Sequence, residues 1–111
     1  MSAITTHILD TSRGKPAQGV SVVLYHQQRE WIEIGRGITD SDGRIGDLLP
    51  KATVLPTGTY KLRFETGAYF EPLSSPTFYP FVEITFSITT GEHYHVPLLL
   101  NPFGYSTYRG S

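Results

Sequence analysis

Apolar and polar residues alternate along this chain in short bursts, and almost no stretch carries the three-to-four spacing of an amphipathic helix. Residues 4–9 place Ile4, Thr6 and Ile8 on one side and His7 on the other, which predicts a first strand. "DTSRGKP" closes it as a loop, because Gly14 permits positive φ and Pro16 has no N–H for a ladder. Residues 20–28 alternate again, with Val20, Val22 and Leu24 facing one way and Ser21, Val23 and Tyr25 the other, and 31–38 return as the second arm of a hairpin. "DSDG" at 40–43 predicts a tight turn in which Gly43 is left-handed, followed by a short or edge strand over 44–48. A loop over 50–58 is bracketed by Pro50, Pro56 and Gly58. In "TYKLRFET" the residues Tyr60, Leu62 and Phe64 point inward and Lys61, Arg63 and Glu65 outward, the pattern of a half-buried antiparallel strand. "GAYFEPLS" fits one short helical turn, "FVEITFSIT" alternates once more, residues 93–100 read as the penultimate strand, and 104–109 can form a last short one. Roughly seven to eight strands spaced about 8–12 residues apart predict an all-β, two-sheet sandwich.

Composition narrows what such a sandwich does. At 111 residues the chain reads as one domain, residues 1–111, with one core. A net charge of -1 without a Lys/Arg run excludes nucleic acid or an anionic membrane as a partner held by bulk electrostatics. The absence of cysteine removes disulfides and thiol chemistry. "MSAITTHILD" lacks a basic segment followed by an apolar run, so a cytoplasmic location is expected, or a periplasmic one if a precursor segment is missing. No apolar run approaches the roughly 20 residues of a membrane-spanning helix.

Few residues are left to carry chemistry. His93 and His95 stand two apart in a strand and so share a face, while His7 lies opposite the Ile4, Thr6, Ile8 face. His26, beside Gln27 and Gln28, reads as a solvated hairpin-end residue, and Trp31 as a strand-packing or edge aromatic without a functional role. Arg44 follows a rigid turn; alone it is a solvated charge, but its planar fork of N–H groups suits an oxyanion or a urea-like ligand. His7, His93 and His95 make a weak zinc pattern with no carboxylate beside it, and no metal is expected. A nucleophile elbow, a phosphate loop and a paired-carboxylate constellation are all missing. The ending "YSTYRGS" is unusual, since chain ends are generally indifferent tails.

"THILD" at 6–10, "GRI" at 43–45 and "EHYHVPLLLNPFGYSTYRGS" at 92–111 make the sequence similar to the transthyretin-like 5-hydroxyisourate hydrolases. The terminal "YRGS" is a signature of those enzymes from which transthyretin departs. The resemblance implies a prealbumin/transthyretin-like sandwich of two four-stranded sheets, assembled as a homotetramer, a dimer of dimers, with sites at the dimer-dimer interface. It implies hydrolysis of 5-hydroxyisourate to 2-oxo-4-hydroxy-4-carboxy-5-ureidoimidazoline, in the degradation of urate to allantoin, without a cofactor. His7, Arg44, His95 and Ser111 would be catalytic, and His7, Arg44, Tyr108, Arg109, Gly110 and Ser111 would bind substrate. Either His7 or His95 would be the general base, and His93 would be structural or supporting. Tyr105 and Tyr108 would pack an interface or touch ligand.

Overall fold

The computed structural model describes residues 3–110. The expected alternation becomes nine strands: β1 (Ile4–Asp10), β2 (Lys15–Pro16), β3 (Ser21–Gln27), β4 (Trp31–Ile38), β5 (Arg44–Ile45), β6 (Gly58–Phe64), β7 (Val82–Ile88), β8 (Tyr94–Asn101) and β9 (Gly104–Thr107). Among the described residues one α-helix, α1 (Thr66–Phe70), runs into a 3₁₀ turn over Glu71–Leu73. One sheet has the order β2-β1-β8-β9 with β5 also on β1, and the other β4-β3-β6-β7. Ile4, Ile8, Val96, Leu98 and Leu100 from the first meet Val22, Leu24, Leu62, Phe64 and Val82 from the second in one apolar cluster. Truncating such a side chain typically costs about 2–5 kcal/mol. Residues turned away from the core do not carry that burden.

Three local departures from the pattern have physical causes. Lys15 and Pro16 pair with Asp10 and Leu9 instead of looping free, which proline allows because β2 is an edge with no further neighbour to serve. The strand expected over 44–48 is only Arg44–Ile45, since the residues beyond turn Leu48 and Leu49 into the core. The last strand ends at Thr107 rather than 109, because pairing with β8 runs back only to Leu98 and Pro97 has no N–H to extend it. The Thr107 hydroxyl donates to the Pro97 carbonyl instead, at 2.7 Å.

His26 is half-buried rather than freely solvated. The register of β3 on β6 sets it opposite Tyr60, and the two rings stack with centroids 4.3 Å apart and planes 7° from parallel. Trp31 receives the Lys61 ammonium over its ring at 4.3 Å, the packing role expected of it. At the far end of β1, buried Asp10 accepts hydrogen bonds from the Tyr69 hydroxyl at 2.8 Å and the Ser12 N–H at 3.0 Å, so α1 is tied to the strand that carries His7.

Candidate active site

The outer face of the first sheet is assembled by register. β1 and β8 run parallel with Thr5 opposite His95 and His7 opposite Pro97, and β5 approaches the other edge of β1 with Arg44 opposite His7. Because Ile4, Thr6 and Ile8 are buried, Thr5 and His7 share the opposite side of β1. His93 and His95 likewise alternate with buried Tyr94 and Val96. Thr5, Arg44, Ile45, Gly46, His93 and His95 border a cavity of about 280 Å³.

A turn holds Arg44 in place. Gly43, at φ 74°, bends the chain so that its carbonyl accepts the Ile8 N–H at 2.8 Å. An added Cβ there would clash with the Ile8 carbonyl oxygen. The Asp40 carboxylate accepts the N–H groups of Arg44 at 3.0 Å and Asp42 at 2.9 Å. Those bonds, led by the Arg44 N–H, draw its carboxyl below the ordinary carboxylate value.

His95 is the most constrained side chain of the group. Its Nδ1 lies 2.8 Å from Thr5 Oγ1, and the same hydroxyl lies 3.0 Å from Nε2 of His93. Burial lowers the pKa of His95, and the charges of Arg44, His7 and His93 lower it further. The chain end closes over it: the Gly110 N–H donates to the His95 carbonyl at 2.8 Å, and a Cβ on Gly110 would meet the His95 ring at 2.6 Å. Only glycine fits so close to the imidazole.

The other tail residues stand apart from this cavity within one chain. Arg109 lies over the Tyr94 ring at 4.5 Å and donates to Glu92 at 3.4 Å. With Tyr108 it borders a separate groove alongside Phe86, Ser87 and Thr89 of the second sheet's edge. The Tyr94 hydroxyl is held by the Thr90 hydroxyl and the N–H groups of Thr89 and Thr90, which lowers its pKa to about 8. Ser111 falls outside the described residues. Among the described residues no three His, Asp or Glu side chains converge on a point that a metal could occupy.

Register thus joins His7, Arg44 and His95, and the tail adds Gly110. Thr5 escaped the sequence reading, because a threonine in a strand carries no mark of function until the strand beside it is known.

The family model described as HIUase/Transthyretin matches residues 4–110. The chain belongs to the HIUase/transthyretin family. It is 50% identical over 110 residues to the 5-hydroxyisourate hydrolase of Salmonella dublin, spanning 97% of this chain and 80% of that protein. It superposes on the solved 5-hydroxyisourate hydrolase of Klebsiella pneumoniae with a TM-score of 0.86 at 42% identity, covering 97% of this chain and 98% of the other. Transthyretin from Sparus aurata gives a TM-score of 0.91 at 31% identity, over 99% and 97% of the two chains. Backbone shape is therefore shared across both branches of the family, and identity favours the hydrolases.

Proposed function

We infer that this family member is a 5-hydroxyisourate hydrolase, opening a ring amide of its substrate in the degradation of urate. One observation carries the reading: Arg44 and a half-buried, pKa-lowered His95 border a single cavity in a chain half identical to a named hydrolase over nearly its whole length.

The chemistry follows from the side chains. With Nδ1 engaged by Thr5, the nitrogen left to His95 is Nε2. A neutral imidazole there takes a proton from water as the oxygen attacks the ring carbonyl carbon, help typically worth about 10²–10⁴-fold. His95 is suited to this at neutral pH because its lowered pKa keeps it unprotonated. The Arg44 fork receives the carbonyl oxygen as negative charge develops on it. When the ring C–N bond breaks, the departing nitrogen takes the proton back from His95, and the carbonyl carbon becomes a carboxylic acid that releases its own proton to water as the carboxylate. His7, cross-strand from Arg44, orients water or substrate. Ser111 takes the role the resemblance implies for it, positioning them through its hydroxyl.

In one chain this cavity is small and open for a ligand site. The second half of our proposal is that four copies assemble as a dimer of dimers, that the dimer-dimer interface covers the cavity, and that Tyr108 and Arg109 serve the site through that assembly.

The deciding experiment adds purified protein to freshly oxidised urate and follows the decay of the 5-hydroxyisourate absorbance. Faster decay than in buffer is expected, and no acceleration would overturn the reading. The high TM-score with transthyretin favours one alternative, a small-molecule carrier, which would bind ligand without turnover.

A further inference from the structure

Thr5 Oγ1 has one proton to give, and its two neighbours are Nδ1 of His95 and Nε2 of His93. If the hydroxyl donates to one ring, the other ring must donate to it. We propose that Thr5 is a positioning residue that sets the tautomer of His95: its hydroxyl donates to His93 Nε2 and accepts from His95 Nδ1–H, leaving Nε2 of His95 as a free lone pair. The inference rests on His95 acting as the base, as argued above.

The surroundings favour this orientation. In the reverse arrangement the proton of His95 sits on Nε2, and an N–H dipole is presented to a cavity that already holds the Arg44 guanidinium, which has only donors. A lone pair beside a cation is the better electrostatic arrangement. The groups that bear on His95 are Arg44 from β5, His7 from β1 and His93 on its own strand, with Gly110 of the tail against its ring. His93 is exposed, so its Nδ1 can exchange protons with water.

Holding the proton on Nδ1 keeps Nε2 of His95 open to accept one from water. Losing a required tautomer while geometry is kept is known to be costly in histidine-dependent hydrolysis.

The test begins with nitrogen-15 NMR of the His95 ring in the intact protein above pH 8, which needs no substrate. The proton is expected on Nδ1 in the wild type, and on a mixture of both nitrogens in Thr5→Val, which keeps the shape and loses the hydroxyl. A wild-type proton on Nε2, or a spectrum unchanged by Thr5→Val, would overturn the proposal. In the kinetic arm, Thr5→Val is expected to lower kcat by about tenfold or more, part of what a general base supplies, with KM little changed, and Thr5→Ser to restore most of it. If Thr5→Ser is as impaired as Thr5→Val, the residue matters for packing alone. His93→Leu, which removes the acceptor for the Thr5 proton, should likewise spread the His95 proton over both nitrogens; an unchanged tautomer counts against the proposal. Because the NMR arm reads a tautomer and not turnover, its failure is separable from the failure of the hydrolase reading, which the wild-type decay assay alone decides.

Discussion

At His95 two kinds of pressure act in the same direction. Burial disfavours the imidazolium, and the positive charges of Arg44, His7 and His93 disfavour it further, so the acid limb of kcat/KM is expected below the ordinary imidazole value of about 6.5. NMR titration of His95 checks this directly. Arg44→Gln removes one cause and should move the midpoint back up, though only partly, because burial is the larger effect. The linkage to stability has a definite sign. A histidine whose folded pKa is lowered adds no penalty above its unfolded value, and it destabilises the fold progressively as pH falls below about 6.5. Gly110 offers a second test at this scale. Its missing Cβ lets the tail lie against the imidazole, so Gly110→Ala must displace ring or tail. Since small misplacements of catalytic groups can cost up to about 100-fold, we expect kcat/KM to fall roughly 10–100-fold with the melting temperature nearly unchanged.

At the scale of elements the site depends on two short pieces of chain. β5 is two residues long and is held on β1 by the turn that Asp40 closes. Asp40→Ala removes the acceptor for the Arg44 N–H, and we expect kcat/KM to drop about tenfold as the guanidinium loses its bearing, with Asp40→Asn milder because one acceptor oxygen remains. Asp40 has a lowered carboxyl pKa, so its contribution is present above the ordinary value of about 4 and is lost as pH falls through the lowered one. The tail is the second piece. Deleting residues 108–111 leaves every strand in place, since β9 ends at Thr107. Circular dichroism should stay β-rich while most hydrolase activity disappears; full activity would make the ending a dispensable tail. β1 and β8 were legible as strands in the sequence, yet the site they form was not. Thr5 and His95 are 90 positions apart and meet only through the parallel register of β1 and β8. A period-two pattern tells which residues share a face of one strand, and nothing in it tells which strand lies alongside.

For the whole molecule, our proposal makes the outer face of the first sheet the surface at which copies meet. No helix among the described residues is long and apolar enough to cross a membrane. Sedimentation at assay concentration tests the proposed assembly. A tetramer is expected, with activity lost on dilution to smaller species, and a fully active monomer would mean that one chain contains the complete site. The same experiment bears on Tyr108 and Arg109, which one chain directs to a groove away from His95. They reach substrate only if another copy brings that groove and a cavity together.

By itself the sequence determined the all-β class, the order of the main strands, their inward faces, the Asp40–Gly43 turn and the likeness to a hydrolase family, because each is written in local periodicity, turn chemistry or contiguous motifs. It also singled out His7, Arg44 and His95 through that likeness. Only the tertiary structure decided that Thr5 stands between two imidazoles, that Gly110 must be glycine to lie on one of them, that His26 stacks on Tyr60, and that Arg109 rests on Tyr94. These are contacts between segments far apart along the chain. Their distances are set by strand pairing and by where Pro97 stops a ladder, and such non-local geometry leaves no period in the sequence to read.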